Sequence, residues 1–132
     1  MEPEVTPLLA EAAARGASSR PYPWGKAFDA KRANLSGEED GHAGPAQVGS
    51  FATGASVFGA MDMVGNVWEW VDSEARSGTP SPASTTATQF GLVKGGGYRS
   101  SPKIAVLSSR NRVPADMRNP TFGFRCVKPH SE

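Results

Sequence analysis

The sequence predicts a single α+β domain in which short strands and long loops outweigh helices. Its 132 residues suit one domain. With 15 glycines and 11 prolines, the chain is rich in residues that interrupt helices, which argues against a helix bundle. Short segments that alternate apolar and polar residues are typical of half-buried strands. We therefore expect a loop-rich sheet with few helices.

The first half of the chain contains one helix and several loops. Residues 8–16, "LLAEAAARG", combine helix formers with a glycine stop and predict a short helix. Residues 18–25 form a turn-rich connection. Residues 30–51 have no sustained period, so they are either a long ordered loop or a disordered one. The segment 67–71, "VWEWV", alternates and is rich in strand formers, and the polar stretch 77–88 is expected to be a surface loop.

Three further segments predict strands in the second half. Residues 91–98 contain a short strand that ends in three glycines. Residues 105–113 form a candidate strand, and residues 122–127, "FGFRCV", alternate clearly.

Charge and cysteine content limit the possible classes of function. The formal net charge of +1 gives no indication of nucleic-acid binding. Residues 1–74 are nevertheless acidic and residues 94–128 basic, which suggests either mutual packing or different ligands for each half. The lone cysteine, Cys126, excludes an internal disulfide, and no apolar run is long enough to span a membrane. No targeting signal is visible, so the cytoplasm is the default location and the cell surface the alternative.

The segment 61–71, "MDMVGNVWEWV", places a carboxylate between two indoles. In a strand, Trp68 and Trp70 share one face and are expected to anchor the core, while Glu69 points the other way. A carboxylate on that face needs water, a basic partner or a metal. Asp62, the turn carbonyls and Glu69 are the all-oxygen ligands that calcium prefers. The alternative is a surface glutamate on a half-exposed strand.

Several motifs together resemble the formylglycine-generating enzyme (sulfatase-modifying factor) family. The segment "FGAMDMVGNVWEWV" is similar to the family signature, and "AAARGASSRPYPWG", "ANL", "EEDGH", "LVKGGGYRSS" and "SSRNRVPADMRNPTFGFRCV" resemble its other motifs. The resemblance implies a modified C-type lectin fold with short, partly irregular antiparallel strands, few helices, long loops and structural calcium.

The resemblance also implies two calcium sites in this chain. The residues that match the family ligands of the first site are Asn34, Leu35, Asp40 and His42. Those that match the second site are Asp62, Gly65, Val67 and Glu69. His42 would contribute its carbonyl, and with only two histidines in the chain a zinc site is not expected.

Two departures from the family pattern argue against catalysis. Catalytic members use two copper-binding cysteines after the glycine-rich strand, and residues 98–112 contain none. A related iron-dependent branch needs three histidines, and the chain has two. Cys126 matches a cysteine of the family that is not catalytic. Compared with the family pattern, we expect one domain over residues 1–132 without the usual N-terminal half, and an open sheet edge of that kind would favour self-association or a partner chain.

The expected function is therefore calcium-stabilised binding of a protein or other macromolecular ligand. The same fold occurs in the variable proteins of diversity-generating retroelements, and residues 95–127 correspond to their display segment. Tyrosine, serine, arginine and asparagine are also favoured in paratopes. The candidate surface residues are Tyr98, Arg99, Ser101, Lys103, Arg112 and Asn119. Arg110 and Arg125 match framework arginines and are expected to be structural.

Two alternatives to a variable protein remain. One is an accessory domain attached to a kinase or another enzyme. The other is an active cysteine oxidase with unfamiliar ligands. A purely structural interpretation of this segment is also open, in which its arginine and asparagine side chains form hydrogen bonds within the protein.

Overall fold

Short strands joined by long loops dominate the structure, a computed structural model that describes residues 13–14, 16, 19–71 and 90–126. The strands are β1 (Trp68–Val71), β2 (Phe90–Lys94), β3 (Arg110–Pro114) and β4 (Phe122–Gly123), and a 3₁₀ helix spans Ala52–Gly54. This agrees with the coarser part of the expectation, a small, sheet-dominated fold with few helices.

Four predicted elements differ from the structure or lie wholly or partly outside the described residues. Ala13 and Ala14 are helical, whereas most of the predicted helix over 8–16 and the predicted loop 77–88 lie outside the described residues. The strand predicted over 105–113 begins only at Arg110, because residues 105–109 form hydrogen-bonded turns. The strand predicted over 122–127 is limited to two residues.

The four strands form one sheet in the order β3-β2-β1-β4. β2 is antiparallel to both β1 and β3, whereas β1 and β4 are parallel, which departs from the expected antiparallel arrangement. The loop over 115–121 carries the chain back along the sheet, so β4 starts at the same end as β1. The starts of β1, β3 and β4 and the end of β2 therefore meet at one end of the sheet.

One buried hydrophobic cluster lies among loops, and the strand residues Val71, Val93 and Val113 are buried as well. The loop cluster includes Ala33, Leu35, Val64 and Leu107. Trp68 and Trp70 are only half-buried, so the expectation that both indoles anchor the core is correct in part. The described residues contain no helix long and apolar enough to cross a membrane.

Hydrogen-bonded turns order the long loop over 30–51. Gly41 donates to the Glu38 carbonyl at 3.1 Å, and Ser50 donates to the Gln47 carbonyl at 3.2 Å. Of the two interpretations of this segment, the ordered loop is the one that the structure supports.

Candidate functional site

An open cleft of about 500 Å³ lies at the end of the sheet where β1, β3 and β4 begin. We call it the sheet-end cleft. The residues that line it are Trp68, Gly97, Arg99, Ser100, Ile104, Ser109, Arg110, Asn111, Asn119 and Thr121. Its volume lies within the range of roughly 300–1,000 Å³ that is usual for ligand sites.

Backbone hydrogen bonds hold the walls of the cleft in place. Trp68 donates its N–H to the Thr121 carbonyl at 2.7 Å, and Tyr98 donates to the Asn66 carbonyl at 2.8 Å. A side chain at Gly97 would place its Cβ 3.2 Å from Cδ1 of Trp68, so glycine allows the loop after β2 to approach the indole. The cleft is therefore framed by the starts of β1 and β3 and by loop segments that backbone hydrogen bonds connect to the rest of the fold.

Two side chains in the cleft use their acceptor atoms inside the protein. Oδ1 of Asn119 accepts hydrogen bonds from the backbone N–H of Thr121 at 2.8 Å and from its hydroxyl at 2.6 Å. Oγ of Ser100 accepts a hydrogen bond from Gly97 at 2.9 Å. Since these bonds set the orientation of the Asn119 amide, its Nδ2 hydrogens and the Ser100 hydroxyl hydrogen are left to donate.

Tyr98 is buried, with 8% exposure, which corrects its assignment as a surface residue. The backbone bond to Asn66 draws this residue into the fold, and the Arg99 guanidinium lies 5.4 Å from the centre of its ring. The Tyr98 ring therefore packs against the Arg99 guanidinium and is not exposed for direct contact with a ligand.

The structure brings only Arg99 and Asn119, of the other predicted ligand residues, to the sheet-end cleft. Ser101, Lys103 and Arg112 do not line it. Arg112 is exposed and lies 4.5 Å from the centre of the Phe90 ring, on β3 but away from the cleft.

Sequence reasoning missed several lining residues. Trp68 was assigned to the core and Arg110 to the framework, and Asn111 and Thr121 were not singled out. Only the pairing of β1 with β2 and β4, together with that of β2 with β3, brings these distant segments to one place.

The residues predicted for the first calcium site lie together and contain an unsatisfied acceptor. Asn34 is 1% exposed, and its Oδ1 atom is buried without a hydrogen-bond partner among the described residues. Its Nδ2 donates to the Gly44 carbonyl at 2.9 Å and to Oδ1 of Asn66 at 3.1 Å. Since both partners are acceptors, a flipped amide would be unfavourable, so the free atom is the oxygen.

Asp40 connects the rest of this first set. Its carboxylate accepts hydrogen bonds from the backbone N–H of Leu35 at 2.7 Å and from that of His42 at 2.9 Å. The His42 ring packs edge-on against Phe51, with 5.7 Å between ring centres. A buried orphan oxygen on Asn34, next in sequence to the Leu35 N–H that binds the Asp40 carboxylate, fits a hard cation such as calcium.

The residues predicted for the second calcium site are linked to Arg125. The guanidinium donates to both oxygens of Glu69, with Nε to Oε2 at 2.6 Å and Nη2 to Oε1 at 2.7 Å. Nη2 also donates to the carbonyls of Met61 at 2.9 Å and Asp62 at 3.1 Å. The structural role expected for Arg125 is confirmed, and Glu69 has the basic partner that its position requires.

Charge and backbone conformation around Glu69 bear on metal binding at this second set. Burial acts to lower the pKa of Arg125, but the hydrogen bonds and charge of Glu69 outweigh it, so the pKa lies above its ordinary value. A metal at Glu69 would share its carboxylate with this cation. Asp62 has a φ of 55°, and its Oδ2 accepts a hydrogen bond from Gly49 at 2.8 Å. The second set thus fits calcium less closely than the first.

No group of three histidine, cysteine, aspartate or glutamate side chains occurs within the part of the chain that the structure describes. Cys126 is exposed and unpaired with another cysteine. A metal at either predicted set would therefore depend on amide and carbonyl oxygens as well as carboxylates.

Comparison with known proteins places the chain in a family. Residues 8–130 match the sulfatase-modifying factor enzyme 1-like domain. A hercynine oxygenase of Mycolicibacterium smegmatis is 36% identical over 105 residues, covering 70% of this chain and 24% of that protein. The inactive C-alpha-formylglycine-generating enzyme 2 of Bos taurus is 31% identical over 126 residues, covering 89% of this chain and 40% of that protein.

Solved structures share the fold. PvdO from Pseudomonas aeruginosa superimposes with a TM-score of 0.74 at 27% identity, covering 92% of this chain and 50% of that one. Variable protein 1 of Treponema denticola superimposes with a TM-score of 0.68 at 22% identity, covering 92% of this chain and 45% of that one. The chain spans half or less of each of these proteins, and it belongs to the sulfatase-modifying factor enzyme 1-like domain family.

Proposed function

We propose that this chain is a non-catalytic binding domain, stabilised by calcium, that holds a protein or other macromolecular ligand in the sheet-end cleft. The observation that carries the proposal is the chemistry of that cleft. Its described lining consists of arginine, asparagine, serine, threonine and apolar side chains, with no cysteine or histidine. Such side chains bind by hydrogen bonding and contact, and they supply no soft ligand for copper.

Calcium would act as a structural ion in this proposal. Asn34, Leu35, Asp40 and His42 would hold one ion, and the buried Oδ1 of Asn34 supports this assignment. Asp62, Gly65, Val67 and Glu69 would hold the second, beside Arg125. The ions would supply positive charge that joins oxygens of neighbouring loop segments and so stabilises the positions of these segments relative to one another.

A displayed library of random peptides tests the binding function. The calcium-loaded protein is used for selection, and each enriched peptide is then measured against Asn111→Trp, which fills the cleft. Ala115→Trp, at an exposed position beyond the end of β3, is the matched control. We expect selected peptides that lose binding to the first variant and retain it for the second. Selection of no cleft-dependent peptide would refute the proposed function.

Similarity to longer proteins supports an alternative, an accessory or catalytic formylglycine-generating enzyme domain. The match of residues 8–130 to the sulfatase-modifying factor enzyme 1-like domain favours this alternative. Its test is copper-dependent oxidation of a cysteine peptide. The similarity in fold to variable protein 1 instead favours a retroelement variable protein. A reverse-transcriptase gene beside the gene for this chain would support that form of the binding function.

A further inference from the structure

We infer that the sheet-end cleft selects an acidic peptide segment, with a carboxylate side chain held at Arg99 and Asn119 and an apolar neighbour against Trp68 and Ile104. This inference rests on the proposed binding function and specifies its ligand.

Arg99 supplies the positive charge of the site. Its side chain is exposed, and its guanidinium lies over the Tyr98 ring, 5.4 Å from the ring centre. Contact with the face of a buried ring limits the positions of the guanidinium while leaving its N–H groups able to bind a ligand. Arginine can bind a carboxylate through two parallel hydrogen bonds. Arg110, on β3, also lines the cleft, but it already interacts elsewhere in the protein.

The neutral polar groups favour the same kind of ligand. The acceptor of Asn119 is used by Thr121, and that of Ser100 is used by Gly97. Both side chains consequently present donors to a ligand. None of the described lining residues carries a carboxylate, and residues 94–128 hold eight basic side chains against one acidic one. A ligand that brings acceptors and negative charge satisfies these donors, whereas a basic ligand would leave them unpaired.

The apolar walls specify what lies beside the carboxylate. Trp68 is half-buried, and Ile104 is 48% exposed. The two side chains offer apolar surface within the same cleft as Arg99. An acidic residue next to a leucine-like residue would use both parts of the site.

The composition and charge dependence of the selected peptides test this inference. We expect aspartate and glutamate to be enriched beside apolar residues in the cleft-dependent peptides. Replacing the acid by its amide in a synthetic copy should weaken binding about tenfold or more, because the neutral amide cannot form the charge-assisted hydrogen bonds that a carboxylate forms with arginine. Fluorescence anisotropy of the labelled peptide measures this change.

Two arginines provide a matched pair of variants. Each lies over an aromatic ring and is exposed, but only Arg99 lines the cleft. Arg99→Gln should lower the affinity for the acidic peptide about tenfold. Arg112→Gln should leave that affinity within about twofold of the unchanged protein's, as expected of an exposed surface change. Equal losses in the two variants would indicate nonspecific attraction and overturn the inference.

Other outcomes separate this inference from the proposed function. Cleft-dependent peptides without acidic residues, bound equally by Arg99→Gln, would refute the acidic ligand and leave the binding function intact. If no peptide depends on the cleft, both fail. Inorganic phosphate that displaced the peptide much more effectively than acetate would overturn the carboxylate assignment in favour of a phosphate ligand.

Discussion

Replacing Arg125 by methionine should lower the free energy of unfolding more than a substitution at a partly exposed position usually does. The change removes two hydrogen bonds to Glu69 and two to the carbonyls of Met61 and Asp62. It leaves a carboxylate whose side chain is only 19% exposed without its basic partner. Arg125 thus joins the segment after β4 to β1 and to the loop before it.

The magnitude lies between two known limits. Exposed ion pairs contribute about 0–1 kcal/mol, whereas breaking a buried pair costs about 3–5 kcal/mol. The Arg125 and Glu69 side chains are 33% and 19% exposed, so we expect a loss of about 2 kcal/mol in the free energy of unfolding. In a double-mutant cycle with Glu69→Gln, a large part of that loss should appear as coupling between the two residues.

Urea unfolding followed by tryptophan fluorescence measures these values, since Trp68 and Trp70 flank Glu69 in β1. Arg112→Met is the control, because that arginine is exposed and makes no ion pair among the described residues. A loss below about 0.5 kcal/mol for Arg125→Met, the range of ordinary surface changes, would refute the reasoning. Repeating the cycle in calcium and in EDTA shows whether Glu69 also binds an ion, because only then does the cost of Glu69→Gln depend on calcium.

Three further predictions concern the metal, the indoles and catalysis. EDTA should lower the melting temperature, since calcium at about a hundredfold above its Kd stabilises the fold by about 2.7 kcal/mol; Asp40→Asn should reduce this shift, and an unchanged melting temperature in EDTA would contradict both calcium sites. Trp70→Ala should cost about 2–3 kcal/mol in urea unfolding, less than the full range of about 3–5 kcal/mol for large buried aromatics, because the indole is half-buried against Phe122. Phe124→Ala, at a position that is 76% exposed, should change stability little, and equal effects would mean that Trp70 is not packed. Copper-loaded protein should not oxidise a cysteine peptide, and turnover that Cys126→Ser abolished would restore the enzyme alternative.

Local pattern was sufficient for several elements. The alternation in "VWEWV" predicted β1 and the opposite faces of Trp68 and Glu69, because side-chain direction in a strand depends only on neighbouring residues. The three glycines after Lys94 likewise predicted where β2 ends. The family motifs indicated the fold. For Glu69 the sequence left water, a basic side chain, a metal or simple surface exposure open, because the burial of its face was not known.

Tertiary structure alone decided which groups meet. The partner of Glu69 is Arg125, 56 residues away, and no local period connects the two. The burial of Tyr98 depends on a backbone bond to Asn66, so its exposure could not be predicted from neighbouring residues. The sheet-end cleft exists because β4 returns parallel to β1 and brings Asn119 and its neighbours beside the start of β1. Residue chemistry can be inferred along the chain, but a cleft consists of distances between distant segments, and only chain packing sets those distances.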